Sequence, residues 1–93
     1  MSKDYHGQVH DKKVWPKYYE AIRDGSKTFE LRKEDDCRYD IGDLLILREW
    51  TPITKTYTGY ITVAVITYVL RGVEHLAPGY AALGIKVLQE VSE

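Results

Sequence analysis

The sequence predicts a mixed α+β domain that is mainly β, a small, strongly bent antiparallel barrel of five short strands with one early helix. Three observations lead there. Runs rich in β-branched and aromatic residues are separated by Gly, Pro and Asp turn signals. One amphipathic stretch follows Trp15-Pro16, and no recurring strand–helix–strand rhythm points to a parallel sheet. At 93 residues, 44% hydrophobic and 12% aromatic, the chain suits a single core without disulfide support.

Residues 1–8 are polar and contain glycine, and read as a flexible leader; residues 9–93 read as one domain. Val9 to Val14 forms the first strand. Pro16 then opens a helix, because its missing N–H has no intrahelical partner at the first position. The helix runs to about Asp24. Trp15, Tyr18, Tyr19 and Ile22 fall on one stripe, and aromatic residues at this spacing are more often core than ligand-facing. Gly25 fits the left-handed residue after a helix end.

Thr28 to Arg32 alternates as a strand, so Phe29 and Leu31 share one face, read as core, while Thr28, Glu30 and Arg32 share the other. An acidic loop from Glu34 to Asp40 leads into Ile41-Gly42-Asp43, a turn signal. Leu44 to Trp50 is a short continuous apolar run, the pattern of a buried strand. Thr51 to Gly59 reads as the loop of a long hairpin, and Tyr60 to Leu70 as the strand most strongly marked by composition. Val73 to Leu76 reads as a single helical turn, stopped by Ala77-Pro78-Gly79. Tyr80 to Val91 is the last strand, with Gly84 as a bulge or bend.

Composition removes several classes of function. No apolar run approaches the roughly 20 residues of a membrane span, and Met1 to His6 lacks the apolar core of a signal peptide. A cytoplasmic, monomeric protein without a membrane partner is expected. Cys37 is the single cysteine, so it has no partner for a disulfide or a Cys-x-x-Cys site. His6 and His10 have metal-ligand spacing but start in the leader, and Glu34-Asp35-Asp36 lacks a completing ligand set. No metal or other cofactor is expected, and the acidic run reads as a solvated face.

Net charge is −1, but its placement is uneven. Residues 1–33 carry eight Lys or Arg against five Asp or Glu, and residues 34–50 carry two against six. The basic third holds the cluster Lys27, Glu30 and Arg32. An acid between two cations suits hydrogen-bond acceptance better than proton donation, which favours recognition over acid catalysis. Such a polar strand face is also common with no function at all.

The run Trp15-Pro16-x-x-Tyr19-x-x-Ile22-x-x-Gly25-x-Lys27-Thr28-x-Glu30-x-Arg32, followed by Ile41-Gly42-Asp43-x-Leu45, resembles the ASCH domains of the PUA-like superfamily. It looks closest to a small, uncharacterised bacterial and phage-associated branch. That branch shows a histidine and lysine before the helix, here His10 with Lys12 or Lys13. It also shows a Phe-Glu-x-Arg-Lys strand, a Leu-Arg-Glu-Trp strand end and a Gly-Tyr-x-x-Leu-Gly-Ile strand, here Phe29 to Lys33, Leu47 to Trp50 and Gly79 to Ile85. The resemblance implies a β-barrel whose cleft is lined by the Gly-x-Lys turn and the strand after it, in a superfamily that includes RNA-binding domains and readers of modified bases.

On that reading the partner is RNA, single-stranded nucleic acid or a modified nucleotide. Lys27 and Arg32 would meet phosphate or a base carbonyl, and Glu30 would accept from a base amino group. Trp15, Trp50 or Tyr80 would supply a stacking face, and His10 would complete the cleft. The alternative is a hydrolase acting on a nucleoside or RNA phosphodiester, with His10, Lys27 and Glu30 as candidate catalytic residues. Another ASCH branch resembles an amidohydrolase that pairs a lysine with a threonine three residues later. Lys27 matches the lysine, but Glu30 occupies the threonine position. A protein-interaction domain is the second alternative.

Overall fold

A computed structural model describes residues 7–92. The elements follow in the order β1 (Val9–Val14), α1 (Pro16–Arg23), β2 (Phe29–Lys33), β3 (Leu44–Thr51), β4 (Thr56–Leu70) and β5 (Tyr80–Ser92). The five strands form one sheet in the order β1-β3-β4-β5-β2, curled into a half-barrel. The sheet is mixed, which corrects the expected all-antiparallel barrel: β1 runs parallel to β3, with Val9 opposite Leu44 and Val14 opposite Glu49. Parallel neighbours need a crossover, and here the crossover carries α1, β2 and the acidic loop. No local turn signal records which later strand will receive β1.

α1 begins immediately after Trp15, with Pro16 in its first turn, and Asp24 closes it. Gly25 follows at φ +88°, a conformation that favours glycine. Tyr19 and Ile22 are buried, as the stripe predicts, but Trp15 and Tyr18 are 54% and 45% exposed. The stripe is split because only its Tyr19–Ile22 half faces the sheet. There the two join Leu45, Leu47, Ile66 and Leu83 in the core. Thr62 Oγ1 donates to the Tyr19 hydroxyl at 2.9 Å, which satisfies both groups inside the core, and burial pushes the Tyr19 pKa up.

Elsewhere the outlines shift modestly. β4 already starts at Thr56, so the expected Thr51–Gly59 loop shrinks to a turn before it. Trp50 and Thr51 pair with Tyr57 and Thr56, residue types that favour strands. Val73–Leu76 is not helical; it is a turn closed by Leu76 N–H donating to the Val73 carbonyl at 3.1 Å. Near Gly84 the β4–β5 register slips between Ile66 and Tyr68. A Cβ at Gly84 would lie 3.1 Å from Thr67 Oγ1 and 3.3 Å from Tyr68 Cβ, so glycine lets the two strands approach at the irregularity.

The start of β1 is fixed by a buried acid. Asp43 is 3% exposed and accepts from Gln8 N at 3.0 Å, Asp40 N at 3.1 Å and the His10 imidazole Nε2 at 2.8 Å. The last residue of the expected leader, Gln8, is therefore held, while its first six residues lie outside those described. Among the described residues, no helix is long and apolar enough to cross a membrane.

Candidate functional site

The strand Phe29–Lys33 faces the opposite way from the sequence expectation. Phe29 and Leu31 are 52% and 53% exposed, whereas Glu30 is 4% exposed. Alternation places Glu30 and Arg32 together on one face but does not say which face looks inward, and a one-residue change exchanges the two. A carboxylate can occupy the inner face here because charged donors reach both its oxygens. Lys27 Nζ donates to Oε1 at 2.6 Å and Arg32 Nε donates to Oε2 at 2.9 Å. Burial of a charge without such partners would be strongly unfavourable.

Both cations are themselves fixed. Lys27 Nζ also donates to the Phe29 carbonyl at 2.6 Å and lies 4.8 Å from the centre of the Phe29 ring. Arg32 Nη2 donates to the Lys13 carbonyl at 2.8 Å, reaching from β2 to β1. These are the two edges of the sheet, so the guanidinium bridges the seam where the half-barrel fails to close. The helix places the remaining wall: Trp15 precedes its first turn and Tyr18 lies three residues on, one turn along the same side.

A cavity of about 450 Å³ opens at this seam. It is lined by Lys13, Val14 and Trp15 from the β1–α1 junction, Tyr18 from α1, Lys27 from the turn, and Phe29 to Arg32 from β2. The lining combines three exposed aromatic rings with three cations and one buried carboxylate. Such an arrangement can hold a flat, partly anionic molecule: the rings offer faces for stacking, and the cations offer donors beside an acceptor-only group. Among the described residues, no group of three or more His, Cys, Asp or Glu is placed to hold a metal.

A family model described as a domain of unknown function, DUF3850, matches residues 9–85. The chain belongs to the DUF3850 family. The matched span of this DUF3850 domain includes every residue of the seam cavity. The chain is also 39% identical over 60 residues to the "Uncharacterized 12.9 kDa protein in GpA 3'region" of Escherichia phage P2. That alignment covers 64% of this chain and 52% of the phage protein, so the chain spans about half the length of this curated relative.

Of the residues singled out from the sequence, the DUF3850 fold brings Lys27, Glu30, Arg32 and Trp15 together at the cavity. His10 is elsewhere, 6% exposed, bonded to Asp43 and set against the Tyr39 ring with centroids 4.6 Å apart. Trp50 lies behind Lys13, whose Nζ is 4.5 Å from its ring centre, and does not line the cavity. Tyr80 begins β5 opposite Lys33 and is also outside the lining.

Tyr18, Phe29, Leu31, Lys13 and Val14 also line the cavity; the sequence pattern places the first three in the core and the last two in the first strand. Tyr18 was detectable as the companion of Trp15 on the helix stripe. Phe29 and Leu31 carried no such signal, because apolar residues on an alternating strand are ordinarily the buried ones. The acidic loop is also more than a solvated face. Glu34 receives Arg71 Nε at 2.8 Å and Arg71 Nη2 at 2.9 Å, and accepts from Tyr39 N at 2.8 Å. These Arg71 bonds hold the Glu34 carboxyl below the usual carboxylate range.

Proposed function

We propose that this domain is a nucleotide-recognition module of the ASCH type in the PUA-like superfamily. It takes one base of an RNA, of a single strand or of a modified nucleotide into the seam between β1 and β2. One observation carries the reading: Trp15, Tyr18 and Phe29 share a single cavity of about 450 Å³ with Lys13, Lys27 and Arg32. That volume falls within the roughly 300–1,000 Å³ of small-molecule sites. Aromatic faces next to cations are what an unstacked base and its phosphate require.

Charge supports a small ligand over a long polyanion. The chain as a whole has net charge −1, and broad non-specific binding draws on many phosphate contacts. The local excess of cations at the seam suits one or two phosphates. Binding is better supported than hydrolysis, because both oxygens of Glu30 are occupied by cationic donors and His10 is bonded to Asp43 away from the cavity. In this reading the domain acts as a cytoplasmic monomer and needs no cofactor.

The test is tryptophan fluorescence on the Trp50→Phe protein, where emission reports Trp15. Titration with nucleoside monophosphates and a short single-stranded RNA is expected to quench emission saturably. For the RNA, the logarithm of affinity should fall with the logarithm of salt at a slope of roughly −0.7 to −1.4, as for one or two phosphates. Unchanged emission at millimolar ligand across the panel, with calorimetry also silent, would overturn the proposal.

A further inference from the structure

The bonding of Glu30 specifies more than a nucleotide. Each of its oxygens has one protein donor, Lys27 Nζ on Oε1 and Arg32 Nε on Oε2. A carboxylate offers about four acceptor positions in all, so each oxygen retains capacity for one more donor. Glu30 lines the cavity, and it presents acceptors side by side with no donor of its own. Next to Oε1 stands Lys27 Nζ, whose three protons are matched by two bonded acceptors, Glu30 Oε1 and the Phe29 carbonyl. The bonds run Arg32 Nε, Oε2, Oε1, Lys27 Nζ, which sets two acceptors side by side next to the Lys27 donor.

Resting on the nucleotide reading, we infer that the seam cleft selects guanine. A ligand complementary to this order must present donor, donor, acceptor along one edge. Guanine does so through its 2-amino group, N1–H and O6. Adenine presents one amino donor beside a bare ring nitrogen, and cytosine does the same. Uracil presents one N–H between two carbonyls. Each of these sets at least one lone pair of the base against a Glu30 oxygen, an arrangement without a hydrogen bond and with like partial charges in contact. Trp15 and Tyr18 line the same space for stacking, and Lys13, also in the lining, adds a cation for phosphate. Pterins share guanine's 2-amino-oxo edge but lack the ribose phosphate.

Isothermal titration of the wild-type protein with GMP, IMP, AMP, CMP, UMP and neopterin tests this. GMP is expected to bind most tightly. IMP, which lacks only the 2-amino donor, should bind about 10- to 100-fold more weakly, the range for loss of one hydrogen bond to a charged group. Glu30→Gln, which replaces one acceptor by a donor at nearly constant shape, should weaken GMP by about 10-fold or more, because one of the two base donors then meets an N–H. The wild-type panel stands on its own if that variant does not fold. Equal affinity for all five nucleotides would overturn guanine selection while leaving the nucleotide cleft in place. Neopterin binding more tightly than GMP would assign the edge to a pterin and overturn the nucleotide assignment. Absence of binding by every compound would remove both readings together.

Discussion

Arg32 on β2 donates from Nη2 to the main-chain carbonyl of Lys13 on β1 across 2.8 Å, joining the two edges of a sheet whose ladder order keeps them at opposite ends. The same guanidinium holds Glu30 through Nε. One side chain thus fixes the width of the seam and the orientation of the carboxylate inside it. Only a planar fork with several fixed donors can do both.

Replacement of Arg32 by Ala should therefore affect fold and site together. Glu30 would remain buried with one oxygen unpaired by protein, at a cost of about 1–3 kcal/mol. Arg32→Lys keeps the charge but not the fork, and should recover only part of that loss. Urea denaturation of the three proteins measures it, and equal midpoints would contradict the bridge.

Trp15 should behave in the opposite way. It is half exposed and lies at the cavity rather than in the core, so Trp15→Ala should change stability by no more than about 0.5 kcal/mol. Ligand affinity should fall by about 1–3 kcal/mol, the range for loss of one stacked base. A large fall in melting temperature would instead return Trp15 to the core.

Acid should loosen the loop after β2. Arg71 holds the Glu34 pKa below its ordinary value, so the folded state binds this proton less readily than the unfolded chain. The stabilisation from the pair is present above the unfolded carboxylate value of about 4.3 and is lost as pH falls through the lower folded value. Glu34→Gln should be less stable than wild type near neutrality, and the gap should narrow on acidification. Urea midpoints from pH 7 down to pH 3 give the comparison; a gap that widens in acid would have the wrong sign.

Asp43 should tolerate little. Its carboxylate accepts from Gln8 N, His10 and Asp40 N, and a Cβ placed on Gly7 would fall 1.9 Å from its Oδ1. Gly7→Ala must displace a buried group that three donors hold. Asp43→Ala leaves those donors unpaired, with an expected loss of at least about 2 kcal/mol. Hydrogen exchange should show the loosening first in β1, which Gln8 and His10 tie to the turn before β3.

Much of this fold is written in local pattern. Val9–Val14 and the Pro16 helix start were legible because a strand period and a helix-start signal are read within a few residues. The partner of β1 was not, since parallel pairing with Leu44–Glu49 depends on a long crossover and not on a nearby turn. At the site, the spacing of Lys27, Glu30 and Arg32 grouped the charges correctly. It could not reveal that Glu30 turns inward, because hydrophobicity makes Phe29 and Leu31 the expected buried residues. Three-dimensional pairing with two cations offsets the desolvation of Glu30, and nothing within the strand itself states that. The bonding of His10 was hidden for a related reason: its partner Asp43 is distant in sequence, and the pair lies outside the cavity lining.

The most direct test of the seam cleft is a proton–nitrogen NMR titration of the labelled protein with GMP. The account predicts shifts centred on the amides of Lys13 to Tyr18 and Lys27 to Lys33 and on the Trp15 indole, with His10 and β5 beyond Ile85 unaffected. Shifts centred elsewhere, or none at millimolar nucleotide, would contradict a base-binding seam and leave the Glu30 cluster as a device for holding the two sheet edges together.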